Sequence, residues 1–392
     1  CEGLDRTHME LPRSQQTLIE AVCRTNPNVV LVLSGGAPFV LPEHPRRAVI
    51  HGYLSGQAGA VAMKDALLGI VNPGGKLAES WPLQLEDTPC FHYYPGMERT
   101  AEYREGLYVG YRYYDTANVP VRYPFGHGLS YTRFAYSDLQ CDGKTVSFTL
   151  TNTGRYDGAE VAQVYISCRT GKVYRPKKEL KGFQKVFLCA GESQRVTIAL
   201  DDKAYRYFNT DTGHWEMETA HYLICVGTSV SDIKLSTTLR LIGTSATAPA
   251  AALTSYQSGN IRNVSDEEFA ALLGRPIPPS NWSGDVNIND PIYRFRDARS
   301  AAARWLYRFL ARRLEKQTDK PDMTYAFILN MPIRAMAQMT GGTISRAMTE
   351  DIVFMVNGHF WRGLGRLIRG FFRAEKTNRN YEKELRYGPT DC

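Results

Sequence analysis

Carboxylates, aromatic rings and glycines crowd one part of this 392-residue chain: Tyr103-Arg104-Glu105-Gly106-Leu107-Tyr108-Val109-Gly110-Tyr111-Arg112-Tyr113-Tyr114-Asp115, then Tyr123-Pro124-Phe125-Gly126-His127-Gly128-Leu129-Ser130-Tyr131-Thr132. Flat aromatic faces can receive a sugar ring. Glycines let a backbone turn sharply or come close to a ligand. A carboxyl set among aromatic rings loses part of its hydration, which favours the protonated form and suits it to giving up a proton in a reaction. The chemistry these residue types suggest is proton transfer by a carboxyl beside aromatic faces. By residue type alone, Glu98, Glu102 and Glu105 qualify equally, and a salt bridge from Glu105 to Arg104 or Arg112 is the plain structural alternative. His127, between glycines, reads as a packed turn residue in preference to a base. The tyrosines serve equally as sugar platforms or as filling for an interface.

These residues must be positioned by the elements around them. Residues 1–134 alternate helix and strand: Gln15 to Cys23 places Leu18, Ile19 and Val22 at helical spacing, and Val29 to Leu33 is a short continuous apolar run, as in a buried parallel strand. Ala48-Val49-Ile50 opens another strand and Gly59 to Gly69 another helix, a βαβ pattern with few units. The Ser34-Gly35-Gly36 turn lacks the spacing of a dinucleotide fingerprint. From 135 to 243 the period changes. Val146-Ser147-Phe148-Thr149-Leu150 alternates strictly, and Val161–Ile166, Leu180–Leu188, Val196–Leu200, Tyr222–Val226 and Leu235–Ile242 follow between turn residues, which predicts a β-sandwich. Residues 244–262 are small and polar and read as a linker. Residues 263–392 read as a basic helical extension. Ser265 caps an acidic first turn of Asp266, Glu267 and Glu268. Ala298 to Lys316 and Met331 to Met339 are amphipathic. Gly358 to Arg373 sets Phe360, Trp361, Leu364, Leu367, Ile368, Phe371 and Phe372 against Arg362, Arg366, Arg369 and Arg373.

The Glu105 loop, the Gly126-His127-Gly128-Leu129-Ser130-Tyr131 segment, Glu2-Gly3-Leu4-Asp5-Arg6, Asn72-Pro73-Gly74-Gly75-Lys76-Leu77 and Trp81-Pro82 together resemble glycoside hydrolase family 3, the β-glucosidase and β-xylosidase family. Thr151-Asn152-Thr153-Gly154, Glu160 to Tyr165 and Lys178 to Phe183 resemble the fibronectin type III-like domain of the same family. The resemblance covers about residues 1–243. Arg13 stands where the family usually has Gly, and Lys76 where it often has Arg. It implies a partial α/β sandwich domain, then a fibronectin type III-like β-sandwich, then an α-helical C-terminal extension. It also implies Glu105 as general acid/base, by the Glu-Gly-x-x-Val-Gly-Tyr-Arg motif. In that family the nucleophile is an Asp on a (β/α)8 barrel ahead of the α/β domain, and the chain shows no such barrel. The expectation is therefore the C-terminal part of a retaining β-glycosidase acting on terminal non-reducing β-D-glycosyl residues of a β-glycoside or oligosaccharide, with half the active site and no turnover by itself. A non-enzymatic module that binds carbohydrate or protein is the alternative. Asp5 and Arg6 read as a loop-fixing ion pair.

Composition excludes several classes. No run of apolar residues is long enough to span a bilayer. The net charge of +7 belongs mostly to residues 261–392, with 21 Lys and Arg against 15 Asp and Glu. That spread-out excess indicates no nucleic-acid partner. The membrane reading of the 358–373 helix gives way to docking on the rest of the enzyme or on a second copy of the chain. Eight cysteines without a Cys-x-x-Cys pair argue against zinc and read as free buried thiols, so no metal or organic cofactor is expected. Free thiols place the protein in the cytoplasm in preference to outside the cell. The first residues read as domain interior with no signal-peptide pattern, an expectation of a truncated chain.

Overall fold

The computed structural model describes residues 6–43, 48–96, 100–244, 252–279, 284–316 and 323–387. They form two bodies. The larger takes residues 8–96 and 101–278; the smaller is built mainly from 279–392.

In the larger body, helix α1 (Arg13–Thr25) precedes strand β1 (Val30–Leu33), which pairs in parallel with β2 (Ala48–His51). Helix α2 (Gly59–Leu67) follows. The pair β1–β2 stands as a two-stranded sheet, so Val30 and Val32 are exposed on strands whose composition suits burial on both faces. Strand β3 (Trp81–Pro82) pairs with β4 (Val121–Tyr123), and helix α3 (Tyr111–Thr116) lies between them in sequence.

The sandwich is assembled as its alternation requires. Strands β5 (Phe134–Cys141), β6 (Thr145–Asn152) and β9 (Ser193–Ala199) form one sheet; β7 (Gly158–Cys168), β8 (Glu179–Leu188), β12 (Ala220–Gly227) and β13 (Ile233–Leu241) form the other in the order β13-β12-β7-β8. A small hairpin, β10 (Tyr207–Asn209) with β11 (His214–Glu216), hangs between. On β6 every second residue is buried, and Val146, Phe148 and Leu150 meet Val164, Ile224 and Val226 in the core. Strand β5 and the hairpin were not expected from sequence. On β5 a bulge between Ser137 and Gln140 breaks the alternation that marks a strand.

The motif segments sew the α/β part to the sandwich. Asn72 donates to the Asp157 carbonyl at 3.0 Å and accepts from the Ser130 hydroxyl and the Tyr131 amide. Lys76 Nζ reaches both the Glu160 carboxylate and the Gly128 carbonyl at 2.8 Å. Buried Gln163 donates to the carbonyls of Gly126 and Thr228. Gly126 has φ +82°, and a Cβ there would lie 2.1 Å from the Gln163 amide oxygen. Gly126→Ala should therefore lower the thermal midpoint sharply, by the equivalent of about 2 kcal/mol or more, since backbone strain and a disrupted buried amide combine. Gly75→Ala, where a Cβ meets nothing within 4 Å, is the control and should be near neutral.

Residues 252–262 are no linker. Helix α4 (Thr254–Ser258) carries Tyr256, which is fully buried, as is Ile261; Leu253 and Val264 are buried too. Helix α5 (Asp266–Leu273) begins at the Ser265 cap, whose hydroxyl accepts from the Glu268 amide. These elements pack on Tyr108, Tyr113 and Tyr114, so the larger body runs to 278. Small, polar neighbours in 244–262 mask the apolar residues that do the packing.

In the smaller body, helices α6 (Ala301–Lys316), α8 (Met336–Met339) and α9 (Arg346–Val356) pack on a core of Val286, Phe295, Ala298, Ile333 and Val356, and the body also holds helices α7 (Met323–Asn330) and α10 (Phe360–Tyr387). Met331 to Met339 is not one helix. Pro332 starts a turn of 3₁₀ whose Ile333 and Arg334 amides bond to Asp290 and Ile288 carbonyls. Helix α10 runs past Arg373 and packs on α9 through its small residues: a Cβ on Gly363 or Gly370 would lie 2.1 Å or 2.8 Å from the γ carbons of Met355 and Met348. Its expected docking face, with Trp361, Ile368, Phe371 and Phe372, is exposed.

Candidate active site

Glu105 lies on the turn between Tyr103 and Tyr108. The Gly106 amide donates to the Tyr103 carbonyl at 3.2 Å and the Tyr108 amide to the Glu105 carbonyl at 2.9 Å. Gly106 at φ +53° and Gly110 at φ +58° supply the left-handed conformations that the reversal demands. Glu105 Oε2 is buried and meets no hydrogen-bond partner among the described residues. The salt bridges open to it on sequence are taken by others. Arg104 pairs with Glu102 at 2.5 Å and with Asp266 at 2.6 Å, and Arg112 faces Glu179 at 3.8 Å. Glu102 is thereby committed to Arg104, and Glu98 lies outside the described residues, as does Asp5.

Arg104 is the anchor of the turn. Its guanidinium donates to the Val264 carbonyl at 2.8 Å and stands 4.8 Å and 5.0 Å from the ring centres of Tyr93 and Phe269. Tyr93 donates to the same Val264 carbonyl. The Tyr256 hydroxyl donates to the Arg104 carbonyl at 2.9 Å, and the Tyr108 hydroxyl to the Tyr256 carbonyl. Burial pushes the Tyr108 and Tyr256 hydroxyls far up, so both remain protonated donors. No signal in the sequence pointed to Tyr256, Val264, Asp266 or Phe269 as partners of Arg104. They lie some 150 to 160 residues further along the chain.

Most of the aromatic run is packing. Tyr111 stacks near Phe125 at 4.6 Å and accepts from the Leu180 amide, which docks α3 on the sandwich. Tyr108, Tyr113 and Tyr114 are buried. Tyr103 alone of the rings on this turn stays open, three-quarters exposed. His127 stacks on Tyr123 at 5.2 Å, and burial together with nearby Lys76 pushes its imidazole down. Both observations fit the packed turn residue expected. Burial and then the Glu105 carboxylate push the Cys90 thiol up, which places that thiol near Glu105 and leaves it a poor nucleophile. Among the described residues six cysteines are free: Cys23 and Cys225 are buried as expected, whereas Cys90, Cys141 and Cys168 are half-buried and Cys189 is exposed.

Comparison with known proteins assigns this architecture to a class. Residues 1–131 match the glycosyl hydrolase family 3 C-terminal domain, and residues 160–230 the fibronectin type III-like domain. The chain is a C-terminal portion of a glycosyl hydrolase family 3 protein. Among particular relatives, thermostable beta-glucosidase B of Acetivibrio thermocellus is 38% identical over 365 residues, 91% of this chain and 44% of that protein. An exo-alpha-(1->6)-L-arabinopyranosidase of Bifidobacterium breve is 43% identical over 262 residues, 65% of this chain and 35% of that protein. The crystal structure of the GH3 beta-glucosidase of Bifidobacterium adolescentis superimposes with a TM-score of 0.60 at 40% identity, covering 64% of this chain and 38% of that one. The chain thus spans less than half the length of these relatives.

Proposed function

We propose that this chain supplies the acid/base half of a retaining β-glycosidase site, with Glu105 as the general acid and base. A carboxylate nucleophile from a preceding barrel attacks the anomeric carbon. The bond to the leaving oxygen breaks as Glu105 protonates that oxygen, leaving a covalent glycosyl-enzyme. Glu105 then takes a proton from water, which attacks the anomeric carbon and frees the nucleophile. One observation carries the reading: Glu105 keeps a buried carboxylate oxygen free of any described partner while both arginines that could neutralise it are paired elsewhere. An unpaired polar atom is costly to bury and calls for an explanation, which a reacting substrate oxygen would supply for Glu105. The open face of Tyr103 is available to a sugar at the outer side of the site. The substrate class is a β-glycoside cut from its non-reducing end. The relatives are named for both glucosidase and arabinopyranosidase activity.

The test is turnover of a nitrophenyl β-glucoside. The chain by itself should release no nitrophenolate above the uncatalysed rate, and a polypeptide joining it to a family 3 barrel should release it readily. Robust turnover by the isolated chain, abolished by changing one of its own aspartates, would sink the split-site reading.

A further inference from the structure

A general acid that must be free to react cannot be held by its own carboxylate. Glu105 Oε2 has no described partner, and the residue after Glu105 is a glycine at φ +53° that gives the backbone little resistance. Gly106 and Leu107 are exposed. On the downstream side the Glu105 carbonyl is held only within the turn, by the Tyr108 amide at 2.9 Å; the backbone on the upstream side is gripped from outside the loop. The Arg104 carbonyl belongs to the peptide unit that enters Glu105, and its orientation is set by the Tyr256 hydroxyl at 2.9 Å. The Arg104 side chain is fixed by the Val264 carbonyl and by Asp266 Oδ1. Tyr256 is itself held by the Tyr108 hydroxyl on its carbonyl. Helix α4 is tied to α5, since Glu268 accepts from both the amide and the hydroxyl of Ser255 at 2.7 Å.

We propose that the segment after the sandwich, residues 252–278, is a clasp that positions the acid/base, with Tyr256 and Asp266 as positioning residues acting through Arg104. This deepens the reading of Glu105 given above and rests on it. A Tyr256 hydroxyl that only filled space would be replaceable by phenylalanine at the cost of one buried hydrogen bond. A hydroxyl that orients the Arg104–Glu105 peptide moves the proton donor when it is lost, and a misplacement of about 1 Å can cost on the order of a hundredfold in rate.

The experiment uses the complete enzyme, barrel included, and compares Tyr256→Phe, Glu105→Gln and the double variant on a disaccharide and on an activated aryl glycoside. Tyr256→Phe should lower kcat on the disaccharide about ten- to a hundredfold with KM little changed. It should leave formation of the glycosyl-enzyme from the aryl glycoside intact and let azide speed its breakdown. On a Glu105→Gln background the same change should cost nothing further, because the group being positioned has already lost its proton. Asp266→Ala, at a side chain three-quarters exposed, should show the same pattern if Tyr256→Phe folds poorly. An equal loss on both substrates, or a loss that adds in full to that of Glu105→Gln, would make the clasp merely structural and overturn the inference. If Glu105→Gln itself shows no dependence on the leaving group, the acid/base assignment fails first and the clasp falls with it.

Discussion

Glu105→Gln in the complete enzyme should lower turnover of unactivated disaccharides about 10² to 10⁴-fold, the usual cost of removing a general acid. Glutamine keeps the shape of the side chain and loses only the transferable proton. The second sugar of a disaccharide would leave as a poorly stabilised alkoxide and needs that proton, so this substrate should suffer at the first step. A nitrophenolate leaves unaided, so the covalent intermediate should still form and then accumulate, since no base remains to activate water. Azide needs no base. It should restore turnover and yield a β-glycosyl azide of retained configuration. Glu102→Gln is the sharpest comparison. Glu102 shares the turn but spends its charge on Arg104 at 2.5 Å, so its variant should lose stability and show no response to azide. Azide rescue of Glu102→Gln, or normal disaccharide turnover by Glu105→Gln, would show the assignment to be wrong.

The second large effect is on stability. Lys76→Met should destabilise the larger body by about 3 to 5 kcal/mol, because it leaves the Glu160 carboxylate buried with no counter-charge. Both side chains are about nine-tenths or more buried, whereas in Lys64–Asp65 the lysine is exposed and the pair belongs with those whose worth is below about 1 kcal/mol. Lys76 also closes the seam at the Gly128 carbonyl, so its loss removes a second bond. The check is a pair of urea titrations. Lys76→Met alone should unfold at a clearly lower midpoint, and adding Glu160→Gln, which removes the stranded charge, should recover much of the loss. A midpoint that does not move would mean that the pair carries no weight in the fold.

Local periodicity made the sandwich legible. Val146, Phe148 and Leu150 alternate with polar neighbours, and the core follows from that pattern. The helix at 13–25 and the strand at 30–33 were legible for the same reason. The bulged strand β5 was not, since two residues out of step erase the alternation. In the candidate site the local part, the glycine-lined turn around Glu105, could be read from one short segment. The remote part could not. Tyr256 and Asp266 meet Arg104 through contacts spanning 152 and 162 residues, and nothing in the spacing of a sequence encodes such a meeting. In α10 the mismatch runs the other way. An apolar stripe is easy to see, yet the face that packs is the one carrying Gly363 and Gly370, where the absence of side chains lets two helices approach. Hydrophobicity marks a face that can be buried; closeness of approach is a matter of size.

The clasp has a consequence for the order of events on the ribosome. Val264 closes on Arg104 across 160 residues of intervening chain. Domains fold from the N-terminal end as they are synthesised, at about 5 to 20 residues per second. For roughly 10 to 30 seconds after Glu105 is made, then, the segment that grips its loop does not yet exist. The sandwich lies wholly within that interval of sequence and can fold on its own alternating core before the loop is fastened. The last residues of the larger body to be polymerised are the ones that turn a flexible glycine-rich turn into a fixed one.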